Sequence, residues 1–297
     1  MPKPDSSKPG TTEPDPTERQ DSTTLRVATW NIWWRFGPWE ERQPKILDTL
    51  RLADADIVTL QETWPAQAQR IADELGLHFC SYSGKRPPAD EPDRGFGNAI
   101  LSRWPSTEIG EQPLSALEGP AHRSIAFARI DSPFGPLPIF TTHLAYRYDE
   151  SEVRQLQLRE ACEFVAEHLE EDAIFPPVLT GDLNAVADSD EIRMMTGRSK
   201  PYVPGLIWTD LWEQLGADPG ITWCDKNPYV VNSAWPNRRI DYVLVGWPRP
   251  RPVGNPVGVS LIGVDDPGSD HYGVVADLVA VPPVAEPSVK GAVAEGE

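Results

Sequence analysis

Of the 297 residues only three are cysteine and five are histidine. Cys80, Cys162 and Cys224 lie far apart and are odd in number. They outline neither a disulfide framework nor a metal cluster, so a reducing compartment, the cytoplasm by default, is expected. No apolar run approaches the ~18 to 20 residues a membrane helix needs, so stable membrane insertion is not expected. The stretch MPKPDSSKPGTTEPDPTERQDSTT lacks the apolar core of a secretory signal. No glycine-rich phosphate loop opens a helix, and no serine or cysteine sits in a nucleophile elbow. Positive charge is also scarce. The 27 Lys+Arg against 45 Asp+Glu leave a formal net charge of −18. Residues 1–23 and 282–297 carry −2 each, which leaves −14 on the rest. Such a body disfavours diffuse binding to polyanions, although screening over about 8 to 10 Å in physiological salt permits a local basic cleft.

What the chain does have is a long alternation of strand-like and helix-like segments. Residues 1–23 and 282–297 are too polar and proline-rich to order themselves and read as disordered tails around a folded body at 24–281. Inside it LRVATWNI (25–32), DIVTLQE (56–62), HFCSYS, GNAILS, RSIAFARI, LPIFTTHL, PVLTGDLN, RIDYVLV (239–245) and GVVADLV (273–279) read as strands. Residues 40–53 read as a helix with Ile46, Leu47, Leu50 and Ala53 on one face, and QAQRIADEL as a second helix stopped by Gly76. Residues 150–171 form a long amphipathic pattern that would turn Val153, Leu156, Phe164, Val165 and Leu169 inward. The order RVATWN, helix, DIVTLQE is echoed by PIFTTHL, long helix, PVLTGDLN. Two such strand–helix–strand halves, with other strands joined by short turns, predict layered α/β packing with mixed sheets.

The feature that points to chemistry is repetition. Strand after strand ends in an acid, an amide or an imidazole. One such residue is ordinarily a solvated or capping side chain, but a set of them on strand ends is not explained that way. Packed face to face, the two halves would bring Asn31, Glu62, His143, Asp182 and Asn184 to one rim. Asn31, Glu62, Asp182 and Asp270 are hard oxygen donors, suited to Mg²⁺, Mn²⁺ or Ca²⁺ and not to zinc. His143 and His271 can donate to phosphate oxygens or move protons, and Asp241 can orient one of them. With no nucleophilic side chain in place, metal-assisted attack by water remains.

In order, ATWN, TLQET, THL, GDLN, RRIDYV and SDH resemble the motif series of the endonuclease/exonuclease/phosphatase superfamily, the group that includes pancreatic-type DNase. The resemblance spans about residues 25–279. It implies a four-layer α/β sandwich, two packed mixed β-sheets flanked by helices, and a Mg²⁺- or Mn²⁺-dependent phosphoric ester hydrolase. By the same resemblance, Asn31, Glu62 and Asp270 belong to the metal site. Asp182 orients or deprotonates the attacking water, Asn184 helps hold that water and the phosphate, His143 contacts phosphate, and His271 with Asp241 forms the acid/base or transition-state dyad. Whether Asp182 or His271 is the base, and whether one metal or two are held, stays open. Several relatives carry a short acid two residues after the first Asn; Trp33 stands there in this chain.

Arg94, Arg123, Arg147, Arg238 and Arg239 lie near these segments, and Arg123 is the favoured phosphate contact; ion pairing within an acidic protein is the competing account for each. The 11 tryptophans include Trp33, Trp34 and Trp39 just after Asn31, and Trp223 and Trp235 before RIDYV. They read either as a stacking wall, with Trp34 the substrate contact, or as core. The expected substrate is a phosphate ester, small or single-stranded: a nucleotide or nucleic acid, hydrolysed as a diester. The alternatives are a lipid or inositol headgroup, whose longer signature around GDLN is absent, and a catalytically inactive binding module, which would have lost some of the polar strand ends. No protein partner is deducible.

Overall fold

The computed structural model describes residues 23–88, 90–91, 94–116, 123–171, 173–231, 235–247 and 252–280. Apart from Thr23, the expected tails at 1–23 and 282–297 lie outside them. The elements in chain order are β1 (Thr24–Asn31), α1 (Trp39–Ala53), β2 (Ile57–Thr63), α2 (Pro65–Leu75), β3 (His78–Lys85), β4 (Phe96–Ser102), β5 (Ser106–Leu114), β6 (Arg123–Ser132), β7 (Gly135–His143), α3 (Ser151–Glu167), β8 (Val178–Asp182), α4 (Asp190–Met195), β9 (Ile207–Asp210), α5 (Leu211–Leu215), β10 (Asp241–Trp247), β11 (Pro256–Ile262) and β12 (Gly273–Val279). They build two six-stranded sheets, ordered β11-β12-β1-β2-β4-β3 and β5-β6-β7-β8-β10-β9.

Both sheets are mixed. The two strand–helix–strand halves seen in the sequence supply the parallel pairs, β1 with β2 and β7 with β8, while the remaining neighbours are antiparallel. Strands buried on both faces read as nearly continuous apolar runs, and their period of two divides the residues between separate cores. Leu25 and Val27 of β1, Ile57 of β2, Ile139 of β7, Val178 of β8 and Val243 and Val245 of β10 pack between the sheets. The intervening Ala28, Trp30, Val58 and Leu60 pack outward with Ile46, Leu50 and Ile71 of α1 and α2. On the other side Phe140, Leu179 and Leu244 pack with Leu158, Phe164 and Val165 of α3. Helices, sheet, sheet and helices make the four layers.

Three strands and the two short helices α4 and α5 escaped sequence reading. β5 is mostly exposed and polar, β9 is four residues long, and β11 is largely half-buried, so none shows a two-sided apolar run. In α3 the inward face also differs from the simple apolar stripe. Leu156 and Leu169 are about 36% and 37% exposed, while Arg154 and Gln157 are buried. These polar side chains hold the loop after β7. Gln157 Oε1 accepts from the Ala145 N–H at 2.9 Å, and Arg154 donates to the Ala145 and Arg147 carbonyls and pairs with Glu191 at 2.8 Å. A buried polar group that serves neighbouring backbone can outrank an apolar one for the inner face.

Gly181 in GDLN has a φ of +136°, and a Cβ there would lie 1.9 Å from the Thr142 carbonyl oxygen on the paired strand. Gly181→Ala is therefore expected to lower unfolding free energy by roughly 2 to 4 kcal/mol, the sum of backbone strain and overpacking. Urea denaturation followed by tryptophan fluorescence measures this, and a shift below about 0.5 kcal/mol would contradict the close approach of β7 and β8.

Candidate active site

The residues between the sheets change character along each strand. On β1 the inward positions run Leu25, Val27, Thr29, Asn31; on β2 Ile57, Thr59, Gln61; on β7 Ile139, Thr141, His143; on β8 Val178, Thr180, Asp182. Apolar packing gives way to hydroxyls and then to the site. The hydroxyls meet across the sandwich: Thr59 and Thr180 lie 2.8 Å apart, and Gln61 Nε2 donates to Thr141 Oγ1 at 2.9 Å. Strand register then levels the site residues, with His143 opposite Asp182 on β7 and β8 and Asp241 opposite Asp182 on β10 and β8.

Glu62 breaks the alternation. After the inward Gln61 it would face the helices. A register shift beyond Leu60 and a φ of +55° turn it into the cleft instead. Asn184 (φ +50°) and Trp33 (φ +58°) are likewise left-handed. Non-glycine residues held in this region cost of order 1 to 3 kcal/mol each, which marks these turns as constrained by their surroundings. Asn184 is held by its own N–H to Asp182 Oδ1 at 2.9 Å and by its side chain to the Leu144 carbonyl at 3.3 Å.

Asp182 is the hub, 1% exposed. Asn31 Nδ2 donates to its Oδ2 at 3.0 Å and also reaches Glu62 Oε1 at 3.3 Å. The oxygen of Asn31 accepts the Trp33 N–H. His143 Nε2 and His271 Nε2 lie 3.3 and 3.8 Å from Asp182 Oδ2. His271 Nδ1 is 2.9 Å from Asp241 Oδ2. Ser269 fixes this loop: its hydroxyl donates to the Asn31 carbonyl at 2.6 Å and accepts the His271 N–H.

The two imidazoles have opposite charge states. Burial, Arg123 and His271 push His143 well below the ordinary histidine value, so it is neutral and its approach to Asp182 is not an ion pair. Burial alone would lower His271, but Asp241, Asp182 and Asp270 outweigh it and hold the ring protonated. Burial and then Asp241 raise Asp182 to about 6. Burial and then Asp270 raise Glu62 to about 7. Burial also raises Asp270, against the pull of His271 and Arg42.

A divalent cation fits this donor set at Glu62 and Asp270. Glu62 Oε2 is buried with no hydrogen-bond partner, and a hard cation would relieve two carboxyls that burial pushes upward, Glu62 further by the nearby Asp270. Asp182, Asp241 and His271 also have metal-ligand spacing. A protonated His271 already engaged by Asp241 has no lone pair to offer, so this trio is better matched to holding a proton.

The cleft over these groups has a volume of about 770 Å³. Arg123 lines it with a buried Nη1 that finds no partner. Its walls are aromatic, but Trp34 is not one of them. The Trp34 indole is tied to the Gly95 carbonyl at 2.9 Å and packs on Phe36 and Phe96, whereas Trp33 and Phe36 face the cleft. Trp39 packs on Trp64. The lining also includes Tyr146, Tyr148, Trp223 and Trp235, and the two tyrosines come from AYRY directly after THL, a signal present in the sequence. Arg42 could not have been found there. It lies in mid-helix, fully buried, and its guanidinium donates to the carbonyls of Ile32, Trp33, Trp34, Phe36 and Gly268, stapling the β1–α1 loop to the loop that carries Asp270.

Residues 28–271 match the Endonuclease/Exonuclease/phosphatase family. The chain belongs to that family. No curated protein matches it by sequence. Among solved structures, this family member is similar to an endonuclease/exonuclease/phosphatase from Beutenbergia cavernae, with 27% identity over 87% of this chain and 72% of that one and a TM-score of 0.65. It is similar in fold to Danio rerio TDP2, with 23% identity over 86% and 99% of the two chains and a TM-score of 0.67. A mannosyl-6-phosphatase of Bacteroides thetaiotaomicron shares the fold at 20% identity over 86% and 99%, with a TM-score of 0.65. Members of the family are phosphoester hydrolases. Among the described residues no helix is long and apolar enough to cross a membrane.

The raised Glu62 carboxyl sets a pH dependence. Below about 7 it carries a proton that a cation must displace, so divalent affinity should fall about tenfold per pH unit below that point and level off above it. Calorimetric titration with Mn²⁺ just below pH 7, in buffers of different ionisation heat, should register proton release in the natural protein and little in Glu62→Gln. Equal heats in both buffers would remove Glu62 from the cation site.

Proposed function

We propose that the protein is a Mg²⁺- or Mn²⁺-dependent phosphodiesterase that acts on small or single-stranded nucleotide substrates by attack of water. The observation that carries the reading is the linked trio Asp241–His271–Asp182, one member protonated and one raised to about 6, beside two cation-ready carboxyls and an unpartnered guanidinium.

A bound cation at Glu62 and Asp270 would supply Lewis-acid charge on the phosphoryl group. The chain's own residues do the rest. Arg123 donates to a non-bridging phosphate oxygen with its unpaired Nη1. Asp182, raised only to about 6 and so ionised at neutral pH, accepts a proton from the attacking water that Asn184 positions. The water oxygen bonds to phosphorus as the bond to the ester oxygen breaks, and the departing oxygen takes up a proton from solvent. Asp241 keeps His271 oriented and protonated, so its Nε2–H faces the charge that builds on the phosphate oxygens in the transition state. His143, neutral, offers a hydrogen bond without adding charge. Solvent is excluded at the base of the cleft by the aromatic walls.

The choice of substrate rests on charge and shape. Arg94, Arg147 and Arg239 are spent on Glu91, on Asp149 and Glu150, and on Asp210. The described cleft therefore offers two guanidiniums, Arg123 and Arg238, and no long basic track for a duplex. That Danio rerio TDP2 occurs complexed with a single-strand DNA product accords with the preference.

Hydrolysis of bis(p-nitrophenyl) phosphate should vanish in EDTA and return with Mg²⁺ or Mn²⁺; full activity in chelator sinks the cation requirement. Asp241→Asn should lower kcat at least ~100-fold, within the range of acid–base contributions, with a much smaller effect on Tm. Duplex DNA should be a poor substrate, and cleavage should depend shallowly on salt; a steep slope would restore the duplex nuclease reading.

A further inference from the structure

Arg238 sits where the acidic chain has left a cation unpaired. Its neighbour Arg239 is closed onto Asp210 at 2.8 Å, and Arg147 meets Asp149. The Arg238 guanidinium makes no ion pair among the described residues, and its buried Nε has no hydrogen-bond partner. Aromatic faces hold it instead. Its Cζ lies 4.3 Å from the Tyr148 ring centroid and 5.3 Å from that of Trp223. Stacking occupies the faces of a guanidinium and leaves its in-plane N–H groups unspent, which orients them for an anion. The backbone is equally fixed: Arg238 and Trp223 form a β-bridge, with hydrogen bonds of 2.9 and 3.0 Å. Because Arg238 precedes Asp241 by three residues, its place relative to the dyad is set by the same short segment.

The surroundings extend the pattern. Tyr148 stacks on Trp235 with ring centroids 3.8 Å apart and planes 14° from parallel, and Trp235 is still 53% exposed. Both line the cleft with Arg123, Arg238 and Trp223. The rim thus carries a planar platform and a second guanidinium besides that of Arg123.

We propose that Arg238, clamped between Tyr148 and Trp223, is a second anion subsite that takes the phosphate next to the scissile one in a short nucleotide, with a base lying along Trp235. This rests on the phosphodiesterase reading of the same cleft and adds a specificity to it. A nucleotide carrying an adjacent phosphate satisfies both the charge and the flat surface.

The metal-loaded full chain tests this with thymidine dinucleotides that differ only in a terminal phosphate at the 5′ or the 3′ end. At least one phosphorylated form should exceed the unphosphorylated dinucleotide in kcat/KM by tenfold or more, chiefly through KM. Arg238→Gln should erase most of that preference and Arg238→Lys should retain part of it, with near-ultraviolet dichroism and Tm confirming the fold of each. In the unmutated protein the preference should shrink as salt rises, because screening weakens the pairing of the guanidinium with the added phosphate. Equal kcat/KM for all dinucleotides overturns the subsite, and so does a uniform loss on every substrate in Arg238→Gln. Failure to cleave any diester, bis(p-nitrophenyl) phosphate included, overturns the phosphodiesterase reading itself.

Discussion

The structure depends on one buried carboxylate. Asp182 is almost fully enclosed between two sheets, where an uncompensated charge would be prohibitively costly. Its partners are Asn31 from the opposite sheet, His143 from the parallel neighbour, Asn184 from its own turn and His271 from the loop before β12, while Asp241 on the antiparallel neighbour repels it and acts through His271. The carboxylate can be tolerated only if both sheets are in register at that rim. The same contacts that make its burial bearable therefore align the groups that do chemistry.

The gradient inside the sandwich explains how a hydrophobic core ends in a polar site without an abrupt fault. Between the valines and leucines at one end and the acids at the other stands a layer of threonines and Gln61, whose hydroxyls and amide bond to one another across the sheets. Each buried polar group finds a partner until the rim is reached. There Glu62 Oε2, Arg123 Nη1 and His143 Nδ1 have none. Unpaired buried atoms also occur elsewhere, at Ser189, Tyr202 and Trp208, but the three at the rim line the cleft, where on the proposed reading a cation and a phosphate would satisfy them.

Net charge also has to be understood locally. The chain is strongly acidic, yet its arginines are not evenly neutralised. Several on the outer surface, Arg94 and Arg147 among them, are matched to carboxylates, and the two that face the cleft are held by burial and by aromatic rings. On the proposed reading, an acidic exterior around a cleft that keeps two guanidiniums favours a compact phosphate ester over a long polyanion.

Much of this was legible in the sequence. Strands that run from apolar residues through threonine to Asn31, Asp182 or His143 announce both a two-sided core and a charged rim, because the period of two is a local property of the chain. The repeated strand–helix–strand unit foretold the two parallel pairs for the same reason. Other features had no local sign. Glu62 was expected at the rim as the end of DIVTLQE, but the left-handed turn that carries it there against the parity of the strand was not legible. Trp33 and Phe36, not Trp34, face the substrate side, because a bond to the Gly95 carbonyl turns Trp34 away. Arg42 looks like an ordinary helix residue and is a buried staple, while Arg238 and Arg239, adjacent in sequence, are respectively unpaired and locked to Asp210. Local periodicity and motif chemistry determined the strands, the layers and the roster of polar residues. Which of those residues are neutralised, turned or exposed was decided only in the tertiary structure, because charge pairing and burial depend on neighbours that the chain brings from distant segments.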